Sequence, residues 1–153
     1  MKKLIVATLI LFALAGCDNK KGAFIEEIPS EHQAPDAIAK LIKILNQRGL
    51  THYATIDHSE HAKRVDRALK QNTVVLFGNP LTSTVLMQCN PSIGMDLPLK
   101  LLFTTSYEGQ TTLSYTNPEY WSLKHNIKDA QCLKLINELT KGMRELAEEV
   151  AKR

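Results

Sequence analysis

Chemistry-bearing motifs are scarce in this chain. Its 153 residues include three cysteines without a CxxC pair and five histidines without an HxxxH pair. Zinc sites normally need three or four ligands, so neither spacing supports one. There is no internal repeat and no low-complexity stretch, which excludes solenoid and propeller architectures. No apolar run reaches the ~20 residues that a membrane-spanning helix needs. Aromatic residues are few, with four Phe, four Tyr and one Trp. No basic stripe is present, which argues against nucleic acid as a partner.

The N-terminus is the most informative segment. Lys2 and Lys3 precede an apolar stretch from Leu4 to Leu14, and small residues at Ala15 and Gly16 precede Cys17. This is the three-part layout of a secretory signal. Leu14-Ala15-Gly16-Cys17 resembles a bacterial lipoprotein box. The resemblance implies that residues 1–16 are removed and that Cys17 receives a diacylglycerol thioether. Two or more acyl chains hold a protein firmly at a bilayer, at ~0.8 kcal/mol per buried methylene. Asp18 resembles the signal that retains such proteins in the inner membrane, facing the periplasm. Without residues 1–16, 137 residues remain (153 minus 16), with 17 basic against 16 acidic side chains once Lys2 and Lys3 are subtracted. A linker follows at 17–22, and residues 23–153 have the size of one domain.

Along that domain the pattern alternates between sheet and helix periods. Residues 23–28 suit a strand. Ser30 and Gln33 have capping-box spacing, Pro35 suits a first turn, and Ile38, Leu41, Ile42 and Leu45 form one helical face that Gly49 terminates. Residues 50–57 suit a strand, 59–69 a short helix and 73–77 a buried strand. Residues 81–89 are ambiguous, and 90–98 form a loop. Residues 99–105 and 111–115 flank Glu108-Gly109 as a hairpin. Pro118 opens a helical turn through Leu123. Asp129 caps a last helix to about Val150, with Leu133, Ile136, Leu139, Met143, Leu146 and Val150 on one face. The order predicts an α+β fold with an antiparallel sheet.

An ordered series of short pieces resembles a known bacterial family, the domain of unknown function numbered 302. The pieces are Ile56-Asp57-His58, Leu76 to Pro80, Leu86-Met87-Gln88 with Pro91, Asp96 to Lys100, Ser114-Tyr115, Asn117-Pro118 and His125-Asn126. The resemblance implies a single curved antiparallel sheet with two main helices on one face, similar to the TATA-binding-protein fold. It also implies a homodimer, and it brings no agreed activity. Where family members often carry Asp, this chain has Asn117.

Three sets of side chains are candidates for chemistry. With Cys17 lipidated, Cys89 and Cys132 are left in an oxidising compartment, where thiols tend to pair. A similar cysteine pair in secreted members of the family supports a disulfide. Buried free thiols, or a metal or redox role, are the alternatives. His58 and His125 lie in the family-like pieces and could line one cleft with Asp57, Lys100 and Tyr115, for acid–base work or to hold a ligand. Both histidines could equally serve the backbone as caps and turn ends. His58 and His61 stand three apart on the expected helix, and Met87 and Met95 are soft ligands. These are too few for a metal site, so neither a metal nor a cofactor is expected. Tyr115, Tyr120 and Trp121 mark a packing centre or an interface.

The sequence therefore supports a membrane-tethered module that binds a small ligand or a protein partner. The rival readings are a hydrolase- or transferase-like enzyme using His58 with Lys100 and His125, and a homodimeric assembly factor.

Overall fold

The computed structural model describes residues 24–153. The signal segment, Cys17 and Asp18 lie outside the described residues. Five strands and five α-helices follow in the order β1 (Ile25–Pro29), α1 (Ala34–Gln47), β2 (Thr51–Asp57), α2 (His58–Lys63), β3 (Asn72–Gly78), α3 (Pro80–Cys89), β4 (Leu99–Thr105), β5 (Thr111–Thr116), α4 (Trp121–Lys124) and α5 (Ala130–Ala151). Short 3-10 turns occupy Pro91–Met95 and Pro118–Tyr120. The strands form one sheet in the order β1-β5-β4-β3-β2, and every neighbouring pair is antiparallel. This is the α+β architecture expected from the sequence.

Alternation along the strands places Val75, Phe77, Leu101, Phe103, Leu113 and Tyr115 on one face of the sheet. Helices α1 and α5 cover that face. Ala34, Ala37, Leu41, Ile44 and Leu45 of α1, with Met143, Leu146, Ala147 and Val150 of α5, complete the main core. A second, smaller core lies beyond one end of the sheet. Leu86, Ile93, Trp121, Ile127 and Ile136 are buried there, with Leu97, Leu99 and Leu139 packed against them. Leu99 touches both cores, and α5 runs through both. At 22 residues, α5 is about 33 Å long, enough to bridge them.

Local chemistry sets the helix ends. The amide N–H of Gly49 donates to the Asn46 carbonyl and that of Leu50 to the Leu45 carbonyl. This Schellman pattern needs the left-handed φ of +63° that glycine adopts without cost. Asp129 caps α5 by accepting from the amides of Gln131 and Cys132. The Ser30–Gln33 capping box does not form. Helix α1 starts three residues later than that spacing requires, with Gln33 at its cap position making no side-chain capping hydrogen bond. Ser30 is drawn away instead: its hydroxyl accepts from the His32 amide and donates to the Ala151 carbonyl. The short helix expected over 59–69 stops at Lys63, where turns carry the chain through Asp66 at a positive φ. The ambiguous 81–89 segment is helix α3, because Asn79 accepts from the amides of Leu81 and Thr82 and Pro80 fills its first turn.

Candidate functional site

The residues selected from the sequence separate into three places. Asp57 is committed to structure. It caps α2, accepting from the Ser59 hydroxyl at 2.7 Å and the Glu60 amide at 3.1 Å. The Ser59 hydrogen bond holds its carboxyl below the ordinary range. Ser59 is buried and its oxygen also accepts from the Asn72 amide, so the cap ties α2 to β3.

Strand alternation turns the Tyr115 side chain to the helix-covered face, away from the other two candidates, but His58 and Lys100 do come together. With Ile25, Val74 and Leu102 they line an open depression of about 340 Å³ that β3, β4, β5 and the start of α2 share. Tyr115 is buried within the main core, and burial pushes its phenol above the usual range, with Glu26 adding to the effect. The Lys100 ammonium donates to the carbonyls of Asp96 at 3.0 Å and Pro98 at 2.9 Å. Partial burial lowers its pKa, although the Asp96 charge opposes the change.

His125 does not line that depression. It is buried at the end of α4, where the ring is held at both nitrogens. Nε2 lies 2.6 Å from the Asp96 carboxylate, and Nδ1 lies 2.6 Å from the Ser92 hydroxyl. Asn90 donates its amide to the His125 carbonyl at 2.7 Å and accepts from the Ser92 amide with its side-chain oxygen. Lys124 also donates to Asp96 at 2.7 Å. Desolvation pulls the Asp96 pKa up, but the Lys124 and His125 hydrogen bonds outweigh it and hold the carboxyl below its ordinary value. Sequence reasoning found His125 and Lys100 but missed Asp96, which links them, and Ser92. Asn90-Pro91-Ser92 is a turn signal that could have pointed to Ser92.

A serine, a histidine and an aspartate within hydrogen-bond reach resemble a nucleophile array. Here the network fastens the 90–98 loop to α4. Each polar group is engaged by a neighbouring backbone or side-chain group, and Ser92 does not line the open depression that holds His58 and Lys100. Asp96, Lys100, Trp121 and Thr116 enclose a cavity of about 40 Å³, and the buried Trp121 indole N–H has no protein acceptor among the described residues. One water, whose share of the liquid is about 30 Å³, fits such a space. Asn117 is buried and donates to the Glu26 carboxylate at 3.2 Å. An aspartate there would set two carboxylates together.

An apolar cleft lies elsewhere, between the two cores. A cleft of about 310 Å³ opens among the ends of α1 and β3, the start of β4, and helices α3 and α5. Phe77, Leu86, Leu97, Leu99, Leu139 and Met143 form its apolar walls. Asn79, Thr82, Ser83, Arg48 and Glu138 form its polar rim. Gly142 stands in the α5 wall, and a Cβ at that position would meet nothing within 4 Å. The volume is at the lower end of small-molecule sites, and the combination of apolar walls with a few polar groups is typical of them. Leu139 and Met143 lie on the helical face read from the sequence, and Phe77, Asn79, Leu86, Leu97 and Leu99 lie in the family-like pieces, but these stretches are distant in the chain and no local pattern marked them as one cleft.

Cys89 and Cys132 are bonded, joining the end of α3 to the first turn of α5. Among the described residues, no group of three or more His, Cys, Asp or Glu side chains is arranged to hold a metal ion. His58 and His61 place their ring centroids 6.2 Å apart, edge to face. No helix among the described residues is long and apolar enough to cross a membrane.

Comparison with known proteins adds three findings. The model of the family described as "Domain of unknown function DUF302" matches residues 26–150. Proteins named fluoride-specific ion channel FluC 1 from Brucella suis biovar 1 and Brucella abortus biovar 1 are each 28% identical to the chain over 100 residues. Those matches cover 65% of this chain but 39% and 37% of the two relatives, so the chain spans about two fifths of their length. The crystal structure of an uncharacterized conserved DUF302 protein from Bacillus stearothermophilus superposes with a TM-score of 0.73 at 16% identity, covering 82% of this chain and 97% of that one. At that identity the likeness shows the fold.

Proposed function

The chain belongs to the DUF302 family, and from that premise we propose that it is a lipid-tethered module of the bacterial envelope that binds a small, mainly apolar ligand in the cleft between its two cores. The cleft carries this reading. Its walls are leucine, phenylalanine and methionine, and the side chains of Asn79, Thr82 and Ser83 stand at one edge. Asn79 uses its oxygen to cap α3, which leaves its amide to donate. Such a site suits a molecule with an apolar body and one hydrogen-bond-accepting end. Arg48 pairs with Glu149 at the mouth, so the ligand need not neutralise a free cation.

Tethering rests on the Leu14–Cys17 box, with Asp18 favouring the inner membrane. A related stretch occurs within proteins named as ion channels, which supports a module that works beside a membrane. A homodimer is the second reading. The sheet face opposite α1 and α5 carries the open depression of Ile25, Val74 and Leu102, which a second copy could cover.

Titration with N-phenyl-1-naphthylamine, an uncharged apolar fluorophore, tests the cleft. Wild-type protein is expected to enhance its fluorescence saturably at one site, and Gly142→Phe, which projects a ring into the cleft, to abolish the enhancement. No saturable binding by the wild type, or equal binding by Gly142→Phe, would remove the cleft as the ligand site.

A further inference from the structure

The strand register places several chain ends together. Ile25 pairs with Thr116, Phe77 with Leu99, and Thr51 with Gly78. The start of β1, the end of β5, the start of β4 and the end of β3 therefore share one end of the sheet. The chain enters the described fold at this end, at Phe24, whose ring packs edge-on against Tyr120 with centroids 4.3 Å apart. Phe24, Tyr120, Trp121, Leu123 and Lys124 line a groove of about 380 Å³ there.

Several large apolar side chains are exposed to solvent at the same end, while Tyr107, Val65 and Leu69 are exposed away from it. Met95 and Leu123 are each 81% exposed and Leu81 is 74% exposed, while Phe24 and Ile25 are about half exposed. Met95 adjoins Asp96, which bonds Lys124 next to Leu123. Leu81 lies in the first turn of α3, immediately after β3. Clustered exposed apolar side chains mark an interaction surface. The length of chain before this end identifies what covers it. Residues 18–23 number six, so Phe24 can stand no more than roughly 20–25 Å from Cys17 even if they are fully extended.

We infer that this end of the molecule docks on the lipid surface, with Met95 and Leu123 entering the interface and the Phe24–Tyr120 groove against it. The inference rests on the tethering proposed above and adds an orientation to it. It also has a consequence for the ligand. Asn79, Leu97 and Leu99 of the cleft belong to the same end of the sheet, so the cleft mouth lies close to the bilayer, and an apolar ligand can pass between them with little travel through water. Apolar insertion rather than charge carries the contact, because Lys124 is already paired with Asp96.

Trp121 is the sole tryptophan and is buried directly beneath the groove it helps to line, so it reports on this surface. The full-length lipoprotein is reconstituted in vesicles of phosphatidylethanolamine and phosphatidylglycerol whose acyl chains are brominated. Attachment is read by flotation, and the modification of Cys17 by intact mass. Trp121 fluorescence is expected to fall relative to unbrominated vesicles. The loss is expected to disappear in the double variant Met95→Asp/Leu123→Asp, which still floats through its lipid. Tyr107→Asp, at the β4–β5 turn of the opposite end, is expected to quench like wild type. A protein that carries the lipid and floats but shows no quenching would overturn the orientation and leave tethering intact. A protein with an unmodified Cys17 that does not float would overturn tethering and the orientation with it.

Discussion

Asp96 holds three pieces of chain at once. Its carboxylate takes hydrogen bonds from Lys124 and from the nearly buried His125 ring, and its carbonyl takes one from Lys100. Truncating it leaves a buried imidazole facing an empty position. Hydrogen bonds involving charged groups contribute about 1.5–3 kcal/mol each, so Asp96→Ala is expected to lower unfolding stability by about 2–3 kcal/mol. The acid dependence has a definite sign. The folded pKa of Asp96 is depressed below its ordinary 3.8, so its contribution is complete above that value and is lost as pH falls through the folded pKa. Asp57 is depressed in the same direction and adds to the effect. Denaturant unfolding at pH 5 and pH 2 is expected to show this loss, and Asp96→Ala is expected to show a smaller one. Equal pH dependence in the two proteins would contradict the assignment. His125 and Lys100 were legible because they stand in family-like pieces. Asp96 stands in one too, but its role depends on a contact 29 positions away that no local pattern encodes. His58 and His125 looked equivalent in the sequence. Only the fold separates them, one at the sheet's open face and the other turned inward.

Elements were legible where a single physical signal dominated. The α1 and α5 faces follow the helical period, and both helices end or begin at the glycine and aspartate that the sequence singles out. The hairpin follows from Glu108-Gly109, with Gly109 at a positive φ of 86°. Signals failed where elements compete for the same group, as when the α5 end takes Ser30 from the α1 cap. Helix α5 also carries Gly142 in its interior, a residue less favourable there than alanine by about 0.5–1 kcal/mol. The open space beside it explains what that position provides, since a side chain would narrow the cleft. Gly142→Ala is therefore expected to raise stability by about 0.5–1 kcal/mol in thermal or denaturant unfolding and to weaken N-phenyl-1-naphthylamine binding modestly. A destabilised Gly142→Ala would mean that close packing, not open space, surrounds the position.

At the scale of the molecule, two cores share one helix and one leucine, and a disulfide closes the smaller core. The bridge spans 43 positions, which corresponds to about 4 kcal/mol of loop-closure entropy in the unfolded chain. Cys132→Ser is expected to cost roughly that amount and to loosen α3 against α5 first, read as faster amide hydrogen exchange in residues 80–96 than in the sheet. Uniform acceleration across the domain would show that the two cores unfold as one unit. The single antiparallel sheet and its helix-covered face were within reach of the sequence and the family resemblance, but the strand order was not. The cleft was not, because it is the gap between two packing centres rather than a feature of either. Native mass spectrometry of the full-length protein, purified from its native cells in mild detergent, tests that cleft most directly. A reproducible small-molecule adduct that is present in wild type and missing in Gly142→Phe is the predicted result. An adduct-free wild type, or an adduct that persists in Gly142→Phe, would contradict the account.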